Sequence, residues 1–344
     1  MRNFSHFGAS LAVLLWAGAA HADAAGAIPA PPPAFAKGAS IPAPDGRWDF
    51  ASWDREHNRL IVAHGSDVLV IDPAAATPVR AIGALAGAHA ALAIPGTDTI
   101  LVSSGHDDTV RILEASSGIE KAKIAVTGDP DATILSADNH TAYVMGGDSG
   151  SISVIDLVHG VETARIAVKP GLEVPVLVHP GLLAVNNEQL SEIDLVDLVA
   201  GKASGSVALT GCEGPTGLAL APETGLALSA CANGQAALVD MAARRLVKLI
   251  PIGQGPDTAI WDAAHSRFLV PCGKSGTLSV ISLDPGGATA IATVATATSA
   301  RTAAMDPATG RVYLPAASFQ PAAAGQRPSM QAGSFRIVVL TPIE

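Results

Sequence analysis

The chain has 344 residues, 21 basic against 31 acidic, a formal net charge of −10 and only 4% aromatic residues. Its basic residues are scattered singly, which excludes a phosphate-neutralising face and argues against a nucleic-acid partner. With 34 glycines and 24 prolines set among short runs of Ala, Val, Leu and Ile, the composition points to many short buried strands.

In chain order, Arg2, the apolar stretch from Ala9 to Ala19 and the small-x-small site Ala20-His21-Ala22 predict a secretory signal peptide over 1–22, cleaved near Ala22. The apolar core is too short to span a bilayer, and no later stretch approaches the ~20 apolar residues a span needs. A periplasmic or secreted protein without a membrane span is therefore expected. Without Arg2, 20 basic residues face 31 acidic ones, a charge near −11. Residues 23–36, rich in Ala and Pro, read as a disordered leader, and 37–344 as one repeat domain.

From residue 49 onward a single unit recurs. Second-strand runs fall at Leu60-Ile61-Val62, Ile100-Leu101-Val102, Ala142-Tyr143-Val144, Leu183-Ala184-Val185, Ala227-Leu228-Ser229, Phe268-Leu269-Val270 and Val312-Tyr313-Leu314. Third-strand runs follow in step, from Val68–Asp72 to Phe335–Leu340, and turns such as Asp54–Arg59 carry Asp, Asn, Pro and Gly. Counting back thirteen residues places the start of each innermost strand at Asp49, His89, Asp131, Thr216, Asp257 and Arg301, with Glu173 or Val174 in the fourth unit. Repeats of 40–44 residues with four strands each predict a seven-bladed, all-β propeller with four antiparallel strands per blade. The seventh unit lacks a fourth strand. Lys37–Pro44 resembles the fourth strand at Lys248–Gly253, and Trp-Asp follows both, so an N-terminal strand is expected to close the last blade.

The repeat resembles the YVTN-type propellers, the secreted bacterial proteins similar to YncE. That family carries a Gly-Pro start, a YVTN-like second strand and a Val-x-Val-Ile-Asp third strand. Here Gly255-Pro256, Tyr143-Val144, Val70-Ile71-Asp72 and Val154-Ile155-Asp156 match it, over roughly residues 37–341. The nearest copies of the second-strand motif are Leu183–Asn187 and Ala142–Gly146. The resemblance implies the fold. Function must come from the site, because propellers host unrelated activities.

Hairpin register counted from the Asp54–Arg59 turn pairs Asp49 with His64, and the same offset pairs His89 with Ser104 and Asp131 with Gly146. One channel mouth would then carry Asp49, His64, His89, Asp131, Asp257 and Arg301, with His106, Asp107, Asp108 and Asp148 on nearby loops. These residues are candidates for binding a small ligand. His64, His89 and Asp131 can in principle hold a divalent metal, Arg301 an anionic group, and Asp49–His64 an acid–base pair. Against this stands a plain reading: polar residues line a wet channel and Arg301 neutralises its acidic neighbours.

Three cysteines in an exported chain suggest one disulfide, Cys212–Cys231; Cys231–Cys272 and fully reduced or metal-bound thiols remain open alternatives. There is no Gly-x-Ser-x-Gly elbow, His-Glu-x-x-His helix or phosphate-cradling loop. The leading expectation is a monomeric binding module for a small ligand or an envelope protein, requiring no cofactor although a divalent metal fits. A lactonase-like hydrolase or metal-assisted lyase is the alternative.

Overall fold

The computed structural model describes residues 34–75, 77, 79–285, 287–321 and 328–343. The predicted signal peptide and residues 23–33 of the predicted leader lie outside them. The described chain is a ring of seven antiparallel blades, six of four consecutive strands and a seventh completed from the N-terminus. Among the described residues, two short 3-10 turns, Gly105–Asp107 and Ala263–His265, are the helical segments.

Each blade follows one plan. Blade 1 is built from Ala51–Asp54, Arg59–His64, Asp67–Ile71 and Val79–Ile82. The inner strands of blades 2 to 7 are Ala88–Ile94, Pro130–Leu135, Leu172–His179, Pro215–Ala221, Ile260–Asp262 and Ala304–Met305. Second strands are covered on both faces by neighbouring blades, and so read as unbroken apolar runs; all six residues of Arg59–His64 are buried. Outer strands such as Val161–Ala167 are largely exposed.

The core lies between blades. Ala184, Ile193 and Leu195 of blade 4 pack on Leu218, Ala227 and Val239 of blade 5. Leu60, Val62 and Leu69 of blade 1 pack on Ala304, Tyr313 and Ile337 of blade 7, which closes the ring. Trp53 and Tyr313 stack across that seam at 5.1 Å.

The N-terminal closure forms as expected and begins earlier than expected. Ile41–Pro42 pairs with Ile337 and Arg336, while Phe35–Lys37 pairs with Pro342, Thr341 and Leu340. Phe35 and Ala36, assigned to the disordered leader from composition, therefore belong to the fold. The reason is Phe35 itself, 3% exposed beneath the Arg267 guanidinium, which stands 4.6 Å from its ring centroid. A single aromatic residue outweighs the Ala and Pro around it.

His57 and His265 belong to a recurring turn motif. In Trp53-Asp54-x-x-His57-x-Arg59 and Trp261-Asp262-x-x-His265-x-Arg267, a buried aspartate takes both the histidine Nδ1, at 2.9 and 2.8 Å, and the arginine Nε, at 2.8 Å in each.

Cys212 and Cys231 form a disulfide across 5.4 Å between Cα atoms, and Cys272 is a buried free thiol. Alkylation of unfolded, non-reduced protein is expected to label one cysteine, Cys272. Peptide mapping that finds three free thiols would contradict the bridge. The bridge closes a loop of 19 residues in sequence separation, so reducing it should cost about 3 kcal/mol.

Candidate functional site

A recurring backbone device aims one side chain per blade at the channel. Its first part is a left-handed residue: Gly87, Asp129, Gly171, Gly214, Gly255 and Ser299, with φ of 83°, 54°, 91°, 56°, 66° and 80°. Glycine takes this conformation freely and aspartate tolerates it. In five of these blades its carbonyl accepts a hydrogen bond from the residue just beyond the second strand, as Gly105 N–H donates to Gly87 and Glu188 N–H to Gly171.

The next residue bridges the second strand: Ala88 to Ser104, Pro130 to Gly146, Leu172 to Asn187, Pro215 to Cys231 and Pro256 to Cys272. The register then slips by one, leaving two inner-strand residues opposite one. Such a bulge bends the strand and re-aims its side chains. The first bulged residue is His89, Asp131, Glu173, Thr216 or Asp257. Asp49 and Arg301 hold the corresponding places in blades 1 and 7.

The bulge also corrects the register counted from the turns. Ser104 faces Ala88, not His89, and Gly146 faces Pro130, not Asp131. In blade 1 the Asp49 N–H donates to the Ala63 carbonyl, and Ala63 N–H to Phe50. Asp49 and His64 are consequently not partners. His64 is 4% exposed, bonds Asp67 Oδ1 through Nδ1 at 2.8 Å, and packs 5.2 Å from the Phe335 ring. It belongs to the seam between blades 1 and 7, which removes it from the expected ligand, metal and acid–base sets.

The other predicted residues do meet. Arg301 Nε donates to Asp257 Oδ2 at 2.6 Å, and its Nη2 lies 3.6 Å from Asp49 Oδ1 and donates to the Trp48 carbonyl at 3.1 Å. Asp49 Oδ2 is 2.9 Å from His89 Nδ1, which stands 3.6 Å from Asp131 Oδ1. A continuous chain, Asp257–Arg301–Asp49–His89–Asp131, thus crosses five blades at one level. Each of these side chains is between 20% and 38% exposed, so the throat is open to solvent.

Glu173 is the site residue that counting thirteen back left ambiguous. Among the described residues it has no hydrogen-bond or ion-pair partner, and Asp131, Asp257, Glu188 and Asp49 all repel it. The sequence signal that marks it is Gly171-Leu172, in phase with Gly255-Pro256. The loop residues Asp107 and Asp108 are engaged elsewhere, Asp107 by Thr109 and Arg111 and Asp108 by the Asp129 backbone.

Four carboxylates against one arginine and one histidine make an anionic ring, and the protonation equilibria respond. Burial, then repulsion from Asp49, raises Asp131 to about 7. Burial, with repulsion from Asp131 next, raises Glu173 to about 10. Burial raises Asp257 to about 6 against the pull of Arg301. The hydrogen bond to Asp49 raises His89. The ring therefore favours protons or another cation.

Immediately past the bulges the channel turns apolar. A cavity of about 480 Å³ is lined by Phe50, Ala90, Ala132 and Val174, then by Trp53, Ile134, Trp261 and Met305.

No protein-family model matches the chain, and no curated protein matches it. Among solved structures, Kuenenia stuttgartiensis hydrazine synthase is similar, with a TM-score of 0.70 and 14% identity over 80% of this chain and 92% of that one. The likeness carries the propeller fold alone.

Proposed function

We propose that this chain is an exported propeller of the YVTN type, working in the periplasm or outside the cell as a binding module whose polar throat receives a small ligand or a projecting group of an envelope protein. The observation that carries this reading is the Asp257–Arg301–Asp49–His89–Asp131 chain, five ionisable residues delivered to one level by five blades. A purely structural ring can use small neutral residues there, as blade 5 does with Thr216, whose hydroxyl donates to the Pro256 carbonyl. The Cys212–Cys231 bridge supports an oxidising compartment.

The test compares two faces. His89→Ala with Asp131→Ala should leave the fold intact, because both side chains face the channel rather than the core. It should weaken capture of small ligands or envelope proteins at least tenfold, about 1.4 kcal/mol, in thermal-shift and pull-down assays. His140→Ala with His265→Ala, on the turns at the other end of the blades, should leave capture unchanged, although losing the His265–Asp262 bond lowers stability. Binding that survives the throat variant and disappears in the turn variant would reverse the assignment.

The Asp49–His89 hydrogen bond supports a second reading, a hydrolase or lyase acting on lactone-like substrates. It replaces the acid–base pair expected at Asp49–His64 and orients an imidazole as general base. Turnover of a lactone panel by the wild type, lost in His89→Ala, would favour it.

A further inference from the structure

We propose that Asp49, His89 and Asp131 form a divalent-metal site at one side of the throat. The proposal rests on the reading of the throat as the working site and narrows its ligand to a transition-metal ion. One donor atom from each residue, from three successive blades, lies within 4.8 Å of the other two. The His89 Nδ1 separations, 2.9 Å to Asp49 Oδ2 and 3.6 Å to Asp131 Oδ1, bracket the spacing of neighbouring ligands around one ion. Metal–ligand bonds of about 2.1 Å give ligand edges of about 3.0 Å in an octahedron and about 3.4 Å in a tetrahedron.

A second observation is independent of that clustering. Asp131 Oδ1 is closed off from solvent and accepts no hydrogen bond, although it points at the same Nδ1. A buried carboxylate oxygen without a donor costs free energy that a bound cation would recover. The surroundings also suit a metal. The second oxygen of Asp49 faces Arg301, itself fixed by Asp257 and the Trp48 carbonyl, so the ligand is oriented from behind.

On binding, the metal replaces the proton that His89 Nδ1 shares with Asp49, and that proton leaves to solvent. An imidazole with carboxylates selects zinc, manganese, cobalt or nickel over magnesium and calcium.

The experiment is calorimetric titration of the EDTA-treated, disulfide-intact protein with Zn²⁺ and, separately, Mg²⁺. One Zn²⁺ per chain is expected, bound at least a hundredfold more tightly than Mg²⁺. His89→Gln and Asp131→Asn should each weaken it at least tenfold, with circular dichroism confirming their fold. His140→Ala with His159→Ala, which removes two exposed histidines, should bind as the wild type does. Copper(II) substituted for zinc should show nitrogen hyperfine structure from one imidazole in its electron paramagnetic resonance spectrum, lost in His89→Gln. Zinc no tighter than magnesium, or zinc binding unchanged in both throat variants, overturns the metal site. If zinc fails these tests while the throat still captures an organic ligand or protein, the metal assignment fails and the proposed function stands; if zinc fails and the throat captures neither, both fail.

Discussion

Deletion of residues 34–44 is expected to abolish cooperative folding. These residues supply the outer edge of blade 7, where Phe35–Lys37 and Ile41–Pro42 pair with Arg336–Pro342. Gly38 N–H donates to Val339, and Lys37 Nζ reaches the Thr296 carbonyl at 2.9 Å, tying the edge to the loop after blade 6. Burial of Phe35 contributes about 3 kcal/mol. Several hydrogen bonds add about 1 kcal/mol each. Together these are comparable to the entire stability of an ordinary domain, about 5–15 kcal/mol. The deletion also exposes the Arg336–Pro342 strand as a free edge, so aggregation is expected beside unfolding. Urea unfolding followed by circular dichroism measures this, with Phe35→Ala as the milder variant at about 3 kcal/mol. A deletion that melts with the wild type would show that the ring holds without its closing strand.

Stability should fall as pH rises through neutrality, and Glu173→Gln should remove much of that fall. Asp131, Asp257 and Glu173 have folded-state pKa values of about 7, about 6 and about 10, all above those of an unfolded chain. From about pH 4 upward the native state therefore holds protons that the unfolded state has released, and stability declines with pH until each folded pKa is passed. His89, raised by its hydrogen bond to Asp49, acts in the same direction, since its contribution is full at low pH and lost as it deprotonates. The acid limb has the opposite sign. Hydrogen bonds from Ser104, Thr109 and Arg111 overcome burial and hold Asp107 at about 2, so its contribution is lost only as pH falls toward that value. Maximum stability is expected near pH 4 to 5 rather than at neutrality. Glu173→Gln should gain about 4 kcal/mol at pH 7.5, the three pH units above its unfolded pKa at about 1.4 kcal/mol each, and nothing at pH 4. Thermal melts across pH 3–9 decide this; a variant that gains equally at both ends would mean that Glu173 is not repelled by the ring.

The blade count was legible because second strands are covered on both faces, which writes them as apolar runs at a steady period. Closure was legible for a related reason, since Lys37–Pro44 copies a fourth strand and precedes the same Trp-Asp pair. Phe35 was hidden because one buried aromatic inside an Ala- and Pro-rich segment leaves no periodic trace. At the throat, counting found Asp49, His89, Asp131, Asp257 and Arg301 because every blade opens its inner strand at the same phase. The error was His64, and its cause is specific: a turn-based count assumes an unbroken ladder, whereas the bulge inserts a residue before the mouth. Glu173 was blurred by a second register shift, between Leu177 and His179, that upsets the count back from the second strand. Gly171-Leu172, read beside Gly255-Pro256 and Gly214-Pro215, marks it without any counting.

The most direct test of the throat as the working site is native mass spectrometry of protein purified from its own host, wild type beside His89→Ala with Asp131→Ala. The account predicts a bound mass, ion or ligand, on the wild type and its loss from the folded throat variant. The same mass carried by both proteins would contradict it.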